Sequence, residues 1–431
     1  SLVGSEMCIR DSYHLLRRLH LFLQNFGNEL ATMVPYFPGN APTDYNNDSV
    51  VRWSVRSNGE SGYVFINNYH RLKILTEKKN VQFTIDLPNE KVILPAKPIT
   101  IPSGASFFMP FNMKLGYSNL VYSTAQPIAR MEQDKNVTVV FAQNKNIPAD
   151  FVFDDDGILV EAPHANLRKY NKRIFIENVS TGTNAAIRIK QPDQTTITII
   201  LLDEIQSLTF WQGNLAGKDR FFLSTSGLTF QQDELQLEDE RRNKISVAIY
   251  PAPTNLTLNK QTLKGKADGM FTRFDISIQS QKPIRAKLVP LQKEILPLRD
   301  IKLGKAKVAE MPTNNDFKNA AQWKIVLSEN LDTQRDIYLR IPYIGDVARI
   351  YKGNELLTDN FYNGKPFNVG LKNFTPMEKG ELRIEILPLQ KNSLIYYPPA
   401  SLPDFNAQNY AIDLPNIEVI EKNCLTLRAI Q

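Results

Sequence analysis

The sequence predicts a mainly β protein, built as tandem β-sandwich and jelly-roll domains behind a single amphipathic helix. Three observations predict it. Apolar residues alternate with polar ones at a period of two over most of the chain, turn-forming pairs punctuate these runs, and one stretch near the N-terminus carries a helical period instead.

The helical stretch comes first. Leu15, Leu19, Phe22, Leu23, Phe26 and Leu30 recur at spacings of three and four, which gathers them on one side of a helix, while Gly27 weakens its later part. Such a stripe needs a partner surface. The rest of the chain shows no second strong helix for it to pack on, so the expected partner is a neighbour outside this sequence.

A turn-rich stretch at 34–47, with Pro35, Pro38, Gly39 and Pro42, separates the helix from the strands. Alternation is clear in Val81-Gln-Phe-Thr-Ile-Asp-Leu87, Phe274-Asp-Ile-Ser-Ile278, Ile337-Tyr-Leu-Arg-Ile341 and Leu382-Arg-Ile-Glu-Ile386, each predicting one wet face. By contrast, Ile197-Thr-Ile-Ile-Leu-Leu202 is apolar on both sides and predicts a central strand covered twice. Turns are expected at Asn58-Gly59, Asp156-Gly157, Lys352-Gly353-Asn354 and Asn363-Gly364. The Pro-, Thr-, Asn- and Lys-rich stretch 251–269 is expected to cross into a last domain. Residues 391–415, with Pro398, Pro399, Pro403 and Pro415, read as a surface strap that delivers a final strand near 417–427. No repeat at a fixed period favours a propeller or solenoid.

A chain of 431 residues is too long for one ordinary core and should divide into two or three domains. Hydrophobic residues at 42% and charged residues at 22% are globular proportions, which excludes a disordered or collagen-like chain. The net charge of +6 is modest, and basic residues interleave with acidic ones, as in Glu238-Asp-Glu-Arg-Arg242, so no nucleic-acid partner is expected. No apolar run approaches the roughly 20 residues of a membrane span. Two cysteines, Cys8 and Cys424, cannot build a disulfide framework. His14, His20, His70 and His164 lack metal-ligand spacing, so neither a metal nor another cofactor is expected.

Candidate chemistry is sparse. A retaining glycosidase needs two carboxyl groups about 5 Å apart. Asn28-Glu29 resembles the dipeptide that carries an acid/base in many sugar hydrolases, but it sits on the amphipathic helix and reads as solvated. Asp154-Asp-Asp-Gly157 lacks calcium-loop spacing and reads as a turn. Gly213-Asn-Leu-Ala-Gly-Lys218 has the wrong spacing for a phosphate loop and precedes a strand, Phe221-Phe-Leu223. No catalytic residue is therefore assigned. Sugars present apolar faces to aromatic rings and hydroxyls to planar polar groups. On that ground Trp211, Tyr362 and Asn363 are the carbohydrate-binding candidates, against the alternative that each ring is packed in a core. Trp53 and Trp323 lie in alternating runs where burial is expected.

Several blocks together resemble the large β-galactosidases of glycoside hydrolase family 35, of the bacterial type. Arg17-Arg-Leu-His-Leu-Phe-Leu-Gln-Asn-Phe-Gly-Asn-Glu-Leu-Ala31 resembles the last helix of that family's catalytic (β/α)8 barrel. Arg56-Ser-Asn-Gly-Glu-Ser-Gly-Tyr-Val-Phe-Ile-Asn-Asn-Tyr69, Ile101-Pro-Ser-Gly104 with Phe108 to Asn112, and Tyr122-Ser-Thr-Ala-Gln-Pro127 are similar to the β-domain that follows the barrel. Phe210-Trp-Gln-Gly-Asn-Leu-Ala-Gly-Lys-Asp-Arg-Phe-Phe-Leu223 continues the likeness. Tyr343-Ile-Gly-Asp-Val-Ala-Arg-Ile-Tyr351, Asp359-Asn-Phe-Tyr-Asn-Gly364 and Gly370-Leu-Lys372 resemble its C-terminal galactose-binding-like jelly roll.

The resemblance implies a parent enzyme that hydrolyses terminal β-D-galactosyl groups with retention, in a bacterial periplasm or at a cell surface. Its two catalytic glutamates belong to barrel strands that would precede Tyr13, so this chain is expected to be inactive and to brace the missing barrel, with galactosides reached only through the whole enzyme. Residues 2–12 resemble a translated sequencing adapter, which sets 1–12, and Cys8 with them, aside as an artefact. The expected domains are then a left-over barrel helix and linker at 13–43, a β-sandwich at 44–135, a second β-domain at 136–258 and the jelly roll with its strap at 259–431. Rival readings are a free carbohydrate-binding module and a structural or adhesive surface protein.

Overall fold

The computed structural model describes residues 6–39, 44, 47–70, 73–240, 244–278, 282–331, 335–374, 376–395, 397, 401–405 and 408–430, the first seven as backbone only. Pro42, Arg241, Arg242, Pro398, Pro399 and the side chain of Cys8 lie outside them. The protein is mainly β, with several antiparallel sheets and one long N-terminal helix, α1 (Glu6–Ala31). A second helix, α2 (Glu204–Leu208), is a single turn capped by Asp203, whose carboxylate accepts from the Gln206 N–H at 2.7 Å. The chain divides into a larger unit, residues 14–236, 246–276 and 426–431, and a smaller one, residues 1–13, 237–245 and 277–425.

In the larger unit, eight strands pair in the order Val34–Tyr36, Arg52–Ser57, Gly62–Asn67, Ser106–Leu115, Ser118–Ser123, Phe151–Asp154, Arg173–Glu177 and Asn166–Tyr170. One face of this sheet packs on the long ribbon Lys78–Asp86 with Lys91–Ile101, through Phe83, Ile85, Val92 and Leu94. Its other face shares a core with a five-stranded sheet ordered Leu159–Glu161, Ile187–Lys190, Thr196–Leu202, Asn136–Ala142 and Gln126–Gln133. Thr196–Leu202 lies between its neighbours and buries Ile197, Ile199 and Leu201 in that core. Its alternate residues, Ile200 and Leu202, enter a further cluster with Phe210 and Phe221. The doubly covered strand read from its composition is therefore present, and it runs parallel to Asn136–Ala142.

In the smaller unit, Ala286–Gln292, Ala321–Leu327, Leu382–Ile386, Val347–Lys352 and Glu355–Phe361 pair in that order. A second sheet there centres on Asp336–Ile341, flanked by Phe367–Gly370 and by residues 418–422 of the last strand, Glu418–Ile430. Ile325, Ile350, Ile384 and Ile386 from the first meet Ile337, Leu339, Ile341 and Val369 from the second in one cluster.

Local readings hold where turn chemistry decides them. Asn58-Gly59 closes a hairpin whose strands meet at Ser57 and Gly62, and a Cβ on Gly62 would lie 2.2 Å from the Arg56 carbonyl. Gly213–Lys218 is a hairpin in which Ala216 and Gly217 carry positive φ and Leu215 pairs with Lys218.

Other expectations shift. Helix α1 runs through Gly27 because burial of Phe22 and Phe26 outweighs the roughly 1 kcal/mol that glycine costs in a helix. Val34–Tyr36, read as part of a linker, is an edge strand paired with Val55–Ser57. The boundary expected at 135/136 falls in the turn of a hairpin, with Gln133 opposite Asn136. The stretch 251–269 forms short hairpin strands, and 258/259 lies beside one of their turns. Both stretches are rich in turn formers because they reverse direction, a composition that linkers share. The wet face expected for Leu382–Ile386 is covered as well: Glu385 is buried, and Phe317 lies 3.8 Å below the guanidinium of its neighbour Arg349.

Candidate functional site

Two features of the larger unit converge on one place: the overhang of α1 and the cavities beside it. The helix is fastened along its C-terminal half. The Phe22 ring lies 4.4 Å from Phe108 and 5.2 Å, edge to face, from Tyr63, and Phe26 stacks behind it. Leu30 and Met33 complete this contact with the core. On the flank, the Asn25 amide donates to Gln212 Oε1 at 2.7 Å and its oxygen accepts the Arg130 N–H at 3.0 Å. Arg17 caps the arrangement, its guanidinium 3.5 Å above the Trp211 ring while it donates to the Leu208 carbonyl.

The expectation that the whole stripe faces an external partner is corrected here. A β-sheet face accepts an amphipathic helix as well as a second helix does, and the sheet strands downstream cover Phe22, Phe26 and Leu30. The same stripe continues one and two turns beyond that support. Leu15 and Leu19 remain 49% and 42% exposed, with Leu16 beside them.

Beneath the overhang lies a cavity of about 650 Å³, walled by Leu15, Leu19, Phe37, Trp53, Phe65 and Phe107. A second cavity of about 380 Å³ shares Leu15, Arg18, Phe107 and Gln126 with it, and its remaining wall mixes Pro102 and Ala105 with Gln143, Asn144, Lys145 and Glu204. Arg18 donates to Ser207 Oγ at 2.8 Å. Burial pulls its pKa down from the usual arginine value, partly offset by the Glu204 charge.

The residues singled out from sequence do not assemble into one site. Trp211 belongs to the larger unit and is 7% exposed, its indole N–H donating to the Ser224 carbonyl at 3.1 Å. That ring is a packing element. Tyr362 and Asn363 belong to the smaller unit, where Tyr362 is half-buried against Tyr343 and Tyr397, with ring centres 5.6 and 6.2 Å away. Burial raises its phenol pKa. Asn363 is exposed, and its side-chain oxygen accepts the Lys365 N–H at 3.0 Å, which makes it a turn residue. The polar wall around Gln126 escaped sequence reading. Its only signal is that Phe107 and Gln126 fall in or next to the blocks that carry the family resemblance.

Several of the acidic groups are engaged in structural pairs. Glu29 lies 3.1 Å from Arg130 at the surface, Asp155 pairs with Lys169, and Asp154 accepts from Asn119. In the smaller unit the buried Asp346 carboxylate binds Arg299 through two N–H groups, at 2.8 and 3.2 Å, and accepts from Tyr397 at 3.3 Å. Glu385 is held above the usual carboxylate range by burial, against the pull of Arg383 and Arg349. Among the described residues no group of three His, Cys, Asp or Glu gathers as a metal site would require. No described helix is long and apolar enough to cross a membrane. No protein-family model matches the chain, and no curated protein matches it significantly.

Proposed function

We propose that this chain is the C-terminal, non-catalytic β portion of a retaining β-galactosidase of glycoside hydrolase family 35, and that the overhang of α1 is the seat of the catalytic barrel. The single observation that carries the reading is the exposed pair Leu15 and Leu19, with Leu16 beside them, on a helix whose other half is locked in place. An apolar row so placed would normally be covered, and the sequence of this helix resembles the barrel's last one. The smaller unit, with two sheets over a common core, then reads as the galactose-binding-like jelly roll. The parent enzyme would hydrolyse terminal β-D-galactosyl groups, and this portion would brace the barrel and border its pocket. The packing of Trp211 and Tyr362 speaks against a free carbohydrate-binding module that acts through those rings.

Two measurements test this. Purified chain is expected to leave an aryl β-galactoside intact, and turnover that survives removal of host enzyme overturns the assignment. A family 35 barrel supplied in trans is expected to co-elute with the chain in size-exclusion chromatography, and Leu19→Asp is expected to abolish the complex. Failure of the unmodified chain to bind that barrel counts equally against the proposal.

A further inference from the structure

The chain holds two Asn-Gly pairs, Asn58-Gly59 and Asn363-Gly364, and the structure treats them differently. We infer that Asn363-Gly364 is a self-modification site, at which the main-chain nitrogen of Gly364 displaces the side-chain amide of Asn363. The isoaspartate that results loosens the hold of this turn on Tyr397 and Ser401. The site lies in the smaller unit and does not depend on the assignment of a parent enzyme.

Attack requires a main-chain nitrogen that can lose its proton and reach the amide carbon of the preceding side chain. Glycine allows the approach because no Cβ shields its nitrogen. At the first pair this nitrogen is occupied: the Gly59 N–H donates to Ser57 Oγ at 3.0 Å. The Asn58 side-chain oxygen is tied down as well, accepting the Glu60 and Ser61 N–H groups at 3.1 and 2.9 Å. Paired strands close on both sides of that turn, with Ser57 opposite Gly62.

At the second pair both residues are exposed, and they lie between the strands Glu355–Phe361 and Phe367–Gly370 without belonging to either. Among the described residues no acceptor takes the Gly364 N–H. The Asn363 side-chain oxygen accepts the Lys365 N–H at 3.0 Å, which draws electron density from the amide carbon and makes it a better target. Nucleophile and electrophile are therefore open at 363–364 and engaged at 58–59.

The chemistry needs only water. The bond from Gly364 N to Asn363 Cγ forms, the Cγ–Nδ2 bond breaks, and the proton lost by Gly364 leaves with the amide nitrogen as ammonia. Water then opens the succinimide at either carbonyl, giving aspartate or isoaspartate. Isoaspartate puts an extra methylene into the main chain between Tyr362 and Gly364, where the fit is close. A Cβ built on Gly364 would lie 2.6 Å from Ser401 Cβ, and the Tyr362 ring centre lies 6.2 Å from that of Tyr397. Tyr397 in turn donates to the buried Asp346 carboxylate at 3.3 Å, so a lengthened backbone disturbs a contact that reaches the core.

The test is to age the whole chain at mildly alkaline pH and follow each asparagine by peptide mass mapping, scoring the mass change of amide-to-acid conversion. Position 363 should convert at least about tenfold faster than position 58, faster still as pH rises, and with isoaspartate among the products. Equal rates, a faster reaction at 58 or no conversion at 363 overturns the inference. Ser57→Ala, which releases the Gly59 N–H, should speed conversion at 58 and leave 363 unchanged; no acceleration at 58 refutes the protective role of that bond. Aged wild-type chain should unfold at a lower urea concentration than fresh chain, whereas aged Asn363→Gln should match its own fresh sample. An unchanged wild-type midpoint after conversion at 363, or an equal fall in Asn363→Gln, overturns the loosening of the turn.

Discussion

The two halves of α1 have the same chemistry and different fates. Both present large apolar side chains at helical spacing, yet Phe22, Phe26 and Leu30 are buried in a core while Leu15 and Leu19 stand over a groove. The difference lies in what is underneath. Tyr63 and Phe108 end the sheet's support one turn short of Leu19, so a continuous stripe is divided by the edge of another element. A hydrophobic stripe thus states that burial is required without stating by whom, and the uncovered half is where an outside partner has to be sought.

Three substitutions sharpen or break that contrast. Phe26→Ala should destabilise the larger unit by about 3–5 kcal/mol, the usual cost of emptying a buried phenylalanine site, read as a drop in urea midpoint. A loss below about 1 kcal/mol would mean that the covered half is not a core element. Asn25→Ala, which removes the bridge from the helix to Gln212 and the Arg130 N–H, should cost about 1–2 kcal/mol because both partners lose a partly buried bond. Leu19→Ala should change stability by no more than about 0.5 kcal/mol, as substitutions at exposed positions do. A large loss there would show the overhang to be self-supporting, and the distinction between the halves would disappear.

Much of the local structure was legible in the chain. Period-two alternation marked Val81–Leu87 and Ile337–Ile341 as strands, and the largely apolar run Ile197–Leu202 marked all but the first residue of Thr196–Leu202. Asn58-Gly59 sits in a hairpin turn because Gly59 tolerates the positive φ required there. The candidate site was far less legible. Trp211, Tyr362 and Asn363 were chosen by residue type, and type does not say whether a ring lies over a guanidinium, between tyrosines or open to a ligand. Position 135/136 reads as a boundary for the same reason: turn-forming residues reverse a hairpin and link domains alike, and the pairing of Gln133 with Asn136 shows a hairpin at this point.

By itself, then, the amino-acid order determined the β class, the position of the one long helix and the places where the chain turns, because alternation, helical spacing and backbone dihedral preference act over a few neighbouring residues. Only the tertiary structure decided which half of α1 is covered and that Glu385, on a strand expected to have one wet face, is buried. Those outcomes depend on groups far apart in sequence arriving, or failing to arrive, at the same place, and short-range periodicity carries no record of that.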